Sequence, residues 1–181
     1  RRRERLEQRR HQRGGDGKIL RVALGIDPGV QTTGYGVVEE QGGCFTLRES
    51  GLFRPSTALP FEERVVSIAL DFASLVERTA PHWVVLENIF VGKNPHSSFV
   101  LAHLRGALLL ETRRRSLPFL SLTPGEVKKI VTGYGRAEKE QVQKALAFFF
   151  PTPLTFQRAD ESDAVAIALA SFFHPSTSPV C

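Results

Sequence analysis

The sequence predicts an α/β chain built on a mixed five-stranded sheet, with three antiparallel strands first and helices flanking them. Two observations carry this. Strand-like runs at residues 19–26, 33–40 and 44–53 follow one another with only turn signals between them. From residue 60 the apolar spacing changes to three and four, and helical and strand patterns then alternate to residue 173. At 181 residues and 41% hydrophobic content, one domain with a sizeable core is enough.

The first strand, 19–26, is aliphatic and ends in a single acid, Asp27, before Pro28 and Gly29 stop it. Residues 33–40 alternate as a second strand. Gln41-Gly42-Gly43 is a hairpin signal, and 44–53 makes the third strand. Val65, Ile68, Ala69, Phe72, Leu75 and Val76 then fall on one face of a helix running from Pro60 to about Thr79, with Glu62 and Glu63 in its first turns. Residues 82–91, HWVVLENIFV, read as a fourth, buried strand with one internal charge, Glu87, and with Trp83 in the core. A helix follows over 95–115, with Phe99, Leu101, Leu104, Leu108 and Leu109 expected to pack and Arg113, Arg114 and Arg115 at its C-terminal end. His96 and His103 read as a loop and a helix-surface residue. The fifth strand is 117–123. Short helices are expected at 124–131 and 138–150, the second stopped by Pro151, and a last helix at 159–173.

The net charge of +5 sits entirely in the first 18 residues, which hold seven Arg, Lys18 and three acids; the rest of the chain sums to zero. Residues 1–18 are therefore expected to be a flexible or partly helical basic arm, 19–174 the folded domain, and 175–181 a frayed tail. A phosphate-rich partner has to be argued from local patches rather than from the overall charge. With no Met in the chain, Arg1 is not expected to be an initiator. Two cysteines, Cys44 and Cys181, make no disulfide framework and no zinc spacing. No apolar run approaches the roughly 20 residues of a membrane span, and no secretory pattern opens the chain, so a cytoplasmic setting is expected.

Four acids suggest chemistry. Asp27 alone fits a capped Asp-Pro-Gly turn as well as a functional carboxylate. Glu87 lies among Val84, Val85, Leu86 and Ile89, where a charge needs a metal, a partner or an outlet to solvent. Asp160 and Asp163 are three apart and share a helix face, where like charges repel and alone destabilise, although acids in a first turn suit the helix dipole and need no chemistry for that. If the first and fourth strands are neighbours, all four acids can converge. Such oxygen-only donors select Mg²⁺ or Mn²⁺, and two such ions can activate water at a phosphodiester. No Ser-His-Asp or Cys-His set stands out.

Four segments, LGIDPGVQTTGYGVV, VVLENIFVGKN, EVKKIVTGYGRAEKEQVQ and RADESDAVAIALA, taken in this order and spacing, resemble the RuvC-type Holliday junction resolvases. The resemblance spans residues 19–173. It implies an RNase H-like fold and a homodimeric, metal-dependent endonuclease that nicks two opposed strands of a four-way junction. It also implies a branch-migration motor as partner, Asp27, Glu87, Asp160 and Asp163 as catalytic and metal-binding carboxylates, and Phe90 as an aromatic that stacks on bases. Lys128 and Lys139 match basic positions near the family's active site. Lys93, Asn94, Gly133, Gly135 and Arg136 are expected along the DNA path. The basic arm and Val30 depart from the family pattern, and neither removes one of the four acids.

Three other readings start from the same features. An RNase H-like nuclease acting on RNA or other structured nucleic acid would share fold and metal. An actin-like phosphate-binding domain would share the Asp-x-Gly turn but needs two such domains, and this chain has one motif. A junction binder that does not cut would have no use for four acids.

Overall fold

The structure, a computed structural model, describes residues 19–88 and 95–177. Strands β1 (Leu20–Asp27), β2 (Thr33–Gln41), β3 (Cys44–Phe53), β4 (Trp83–Glu87) and β5 (Phe119–Leu122) form one sheet in the order β3-β2-β1-β4-β5. The β1–β2 and β2–β3 pairs are antiparallel, while β1–β4 and β4–β5 are parallel. Hairpins turn the chain back at once, whereas parallel pairs need a crossover, and here helices supply it. The β2–β3 turn uses Gly42 and Gly43 at φ of 61° and 86°, a left-handed pair that glycine adopts freely. The loop after β1 is closed by Thr33, whose Oγ1 donates to the Gly29 carbonyl at 2.7 Å and accepts from the Gly29 N–H at 3.3 Å. Thr33 thus performs the turn-closing job that Asp27 would have had in a capped turn.

Helices α1 (Phe61–Thr79) and α2 (Pro95–Arg114) cover one face of the sheet. Their core joins Ile68, Phe72, Leu75, Leu104 and Leu108 to Leu24, Ile26, Val84 and Leu86. Helices α3 (Pro124–Thr132), α4 (Lys139–Leu146) and α5 (Ala159–Ser171) cover the other face. In α5, ten residues are buried on all sides. The helix can lie so close because its rows of alanine meet a trough of glycines on β1 and β2. A Cβ on Gly25 would fall 2.3 Å from the Ala164 carbonyl oxygen, one on Gly34 2.1 Å from that of Asp160, and one on Gly36 2.6 Å from Val165 Cγ2. The glycines near Asp27 are therefore a helix-docking surface as well as a turn.

Four expectations are corrected. The fourth strand, expected over 82–91, ends at Glu87, so that acid closes its strand as Asp27 does instead of lying inside it; the Asn88 N–H then bonds the Leu122 carbonyl at 2.7 Å. Of the α2 residues expected to pack, only Leu104 and Leu108 are fully buried, whereas Phe99 is 71% exposed and Leu109 38%, because the helix rests on one narrow stripe. The helix expected over 138–150 ends at Leu146, where the Phe148 and Phe149 N–H groups bond three residues back, to Ala145 and Leu146. That tighter turn sends Phe150 into the core and leaves Phe148 outside. The last helix ends at Ser171 rather than 173, again by bonds three residues back, and Phe172 turns in against Trp83 with ring centroids 5.0 Å apart.

Residues 175–177 form a 3₁₀ turn, and Thr177 is tied by its hydroxyl to the Ser171 carbonyl and by its own carbonyl to Arg21. The Trp83 indole N–H donates to Ser171 Oγ at 2.8 Å in the buried layer between β4 and α5. Ser171→Ala leaves that N–H unpaired, and a loss of roughly 1–3 kcal/mol in urea unfolding is expected.

Candidate active site

Asp27 and Glu87 meet because of strand register. Ile26 pairs with Leu86 in the parallel β1–β4 ladder, and the next step sets Asp27 and Glu87 at neighbouring strand ends, close enough for their charges to interact. Ile26 and Leu86 face the α1/α2 core, so by alternation both acids face α5. Helix α5 contributes Asp163. These three acids, with Lys128 of α3 and Lys139 of α4, line a cleft of about 330 Å³ whose remaining wall is Pro124, Val127, Val142, Ala166 and Ile167. Two capping devices place the lysines. Thr123 and Glu126 form a capping box at the start of α3, with Pro124 at its first position, immediately after β5. Gln141 Oε1 accepts the Glu138 N–H at 2.8 Å, which starts α4 on Lys139.

The cleft holds more negative charge than its lysines offset. Burial pushes the Asp27 carboxyl up to about 7, and the charges of Glu87, Asp163 and Asp160 add to this while Lys139 opposes it. Glu87 is raised as well, first by burial and then by Asp163, against Lys139 and Lys128. Lys139 Nζ lies 2.9 Å from Asp163 Oδ2, and this hydrogen-bonded ion pair raises the ammonium's own pKa. Among the described residues no three His, Cys, Asp or Glu side chains are drawn together as a ready-made ion cage. The donor chemistry nevertheless fits a divalent ion: three carboxylates at one cleft, two of them disfavoured as anions, and an ammonium on the third where a stronger cation could stand.

Asp160 sits in the first turn of α5, outside the cleft lining, with Arg158 Nε at 3.9 Å from its Oδ2; it acts on Asp27 through its charge. Arg136 is exposed in the loop between α3 and α4 and is also outside the lining. Phe90, Lys93 and Asn94 lie outside the described residues. The sequence reading missed the apolar wall that raises Asp27, since Val127, Val142 and Ile167 look like ordinary core positions. The T-P-G-E run at 123–126 was a visible signal for the start of α3.

A sequence model of the family described as crossover junction endodeoxyribonuclease RuvC matches residues 23–171, which include Asp27, Glu87, Asp160 and Asp163. The chain belongs to the RuvC family. Among curated RuvC relatives, that of Syntrophotalea carbinolica is 39% identical over 153 residues, covering 83% of this chain and 94% of the relative. That of Pelotomaculum thermopropionicum is 34% identical over 153 residues, covering 84% and 93%. RuvC of T. thermophilus, solved in complex with Holliday junction substrate, superposes with a TM-score of 0.79 at 28% identity, covering 84% of this chain and 94% of that one. A yeast mitochondrial Holliday junction resolvase shares the fold at a TM-score of 0.61 and 18% identity, over 82% of this chain and 76% of that one. The architecture is RNase H-like, as expected for a RuvC chain. Among the described residues no helix is long and apolar enough to cross a membrane.

Proposed function

We propose that this chain resolves four-way DNA junctions with Asp27, Glu87, Asp160 and Asp163 as the carboxylates of its cutting site. As a RuvC-family protein it is a crossover junction endodeoxyribonuclease, acting in recombination and repair. The observation that carries the site assignment is the meeting of Asp27, Glu87 and Asp163 at one cleft where burial and neighbouring charge disfavour the anionic forms of Asp27 and Glu87. Such a cleft needs a cation, and phosphodiester hydrolysis needs one too.

Asp27, Glu87 and Asp163 would hold Mg²⁺ or Mn²⁺, and we propose two ions, with Asp160 contributing from the rim. When bound, such ions supply an activated water and stabilise charge on the leaving oxygen. The chain's own residues do the rest. Lys139, released from Asp163, and Lys128 offer positive charge to the phosphate entering the cleft. The apolar wall of Val127, Val142 and Ile167 keeps bulk water from one side, which strengthens each charge interaction inside. Phe90, Lys93 and Arg136 are proposed on the DNA path, the first stacking on unpaired bases. Cutting is proposed to leave 5′-phosphate and 3′-hydroxyl ends.

A twofold dimer would present two such sites to a junction of near-twofold symmetry. The outward face of α2 suits a second copy, since Phe99 and Leu110 are 71% and 58% exposed there. A branch-migration motor as loading partner and a cytoplasmic setting rest on the family resemblance.

Incubation with a synthetic four-way junction, linear duplex and an RNA–DNA hybrid in Mg²⁺ or Mn²⁺ tests the reading. Symmetric cutting of the junction alone is expected; equal cutting of duplex would overturn it, and preference for the hybrid would favour the RNA-directed alternative. Asp163→Asn is expected to stop cutting yet bind the junction within a few-fold of the unaltered protein, because affinity comes mainly from backbone phosphates. Gel shift in metal-free buffer measures this, and joint loss of binding and cutting would make Asp163 structural.

A further inference from the structure

Arg105 lies on α2, across the sheet from the cleft, yet its guanidinium reaches the end of β4 that carries Glu87 and the neighbouring β5. Its Nη1 donates to the Glu87 carbonyl oxygen at 2.8 Å, and its Nη2 donates to Ser121 Oγ on β5 at 2.5 Å. Its guanidinium carbon sits 5.3 Å from the centroid of the Phe119 ring. Burial lowers the guanidinium's pKa. These partners are a carbonyl, a hydroxyl and a ring face, and none of them is a carboxylate. A half-buried cation directed at a backbone carbonyl is a costly choice if stability alone is served.

The geometry gives it another use. The peptide that follows Glu87 is held at both ends: its carbonyl accepts from Arg105, and its N–H, that of Asn88, donates to the Leu122 carbonyl at 2.7 Å. Clamping that peptide plane fixes the direction in which Glu87 leaves the backbone at the last residue of β4. The planar, rigid fork of an arginine also sets the spacing between the ends of β4 and β5, which a lysine cannot do through a single point charge. We infer that Arg105 is a positioning residue for cutting, which holds the Glu87 carboxylate beside Asp27 from the far side of the sheet. The inference rests on Glu87 being a carboxylate of the cutting site. It also ties the site to α2, the helix whose outward face is proposed to meet a second copy.

The test uses full-length R105Q, R105K, S121A and E87Q, with Mn²⁺ binding measured by calorimetry without DNA, junction binding by gel shift in metal-free buffer, and cutting as a function of Mn²⁺. R105Q is expected to bind junction normally but to bind Mn²⁺ about tenfold more weakly and to need correspondingly more of it to cut, the scale typical of groups that orient metal ligands. R105K should recover part of the loss, and S121A, which removes one arm of the fork, should show a smaller shift. If R105Q does not fold, the Mn²⁺ affinities of R105K and S121A decide, and unaltered values in both overturn the inference. It is also overturned if folded R105Q binds Mn²⁺ normally, or if its junction binding falls in step with its cutting. E87Q separates the two levels: normal Mn²⁺ binding and cutting there would sink the site assignment itself, whereas an inactive E87Q beside a normal R105Q sinks only the role of Arg105.

Discussion

Replacing Asp27 with Asn is expected to abolish junction cutting and, in metal-free buffer at pH 8, to make the protein more stable than the unaltered chain. The loss of cutting should be ~10³-fold or more, because the proposed metal ligand is removed while the fold is kept. The gain in stability follows from the same carboxylate. Its pKa is 3.8 as a reference and about 7 in the folded protein, raised first by burial and then by Glu87, Asp163 and Asp160. A raised carboxyl binds more protons folded than unfolded between those values. Stability from this group is therefore greatest at low pH, falls as pH rises from about 4 to 7, and stays low above that. The deficit amounts to a few kcal/mol at pH 8. Asn carries no charge and escapes it. Urea unfolding at pH 5 and pH 8 without metal should show a larger fall in stability for the unaltered protein than for Asp27→Asn, in which Glu87 is still raised by burial, and Mn²⁺ at pH 8 should stabilise only the former. A variant that is less stable at pH 8 and cuts normally would mean that Asp27 is a turn residue after all.

Gly25→Ala should be nearly as damaging, although it removes no atom of the site. The added Cβ would stand 2.3 Å from the Ala164 carbonyl oxygen and 2.5 Å from the Ala168 nitrogen, both backbone atoms of α5 that no side-chain rotation can clear. The helix must retreat, at a cost of ~1–3 kcal/mol typical of overpacking. Asp163 rides on the same helix and lines the same cleft as Asp27, so a displacement of about 1 Å should lower cutting by ~10²-fold. Gly106→Ala on α2 is the contrast. A Cβ there meets nothing within 4 Å, and the change should stabilise by up to ~1 kcal/mol through helix propensity alone. Equal behaviour of the two variants in urea unfolding would show that the close approach of α5 has no mechanical consequence.

Residue types and local spacing marked out all five strands, because β-branched alternation and the Gly42-Gly43 hairpin are local physics. They also marked Asp27, Glu87, Asp160 and Asp163, since acids next to apolar runs call for compensation wherever the chain folds. Helix ends were less legible. The last turns at Phe148 and Phe172 tighten so that neighbouring phenylalanines reach the core, and that depends on what they pack against. The rotation of α2 was likewise set by its contact with α1 and the sheet, which left Phe99 outside and turned Arg105 toward Glu87.

What the chain determined by itself was the chemistry available: carboxylates at the end of one strand, near the end of another and in the first turns of a helix, with lysines between. Only the tertiary structure decided that Asp27 and Glu87 stand side by side, because a one-residue slip in the β1–β4 register would turn either acid to the opposite face of the sheet. It also decided that Gly25, Gly34 and Gly36 face α5, which brings Asp163 close enough to act on both, while Asp160 stays at the rim. Spacing along the chain carries local period and residue type. Contacts between residues 60 and 136 positions apart are set by packing, and packing is a property of the whole domain.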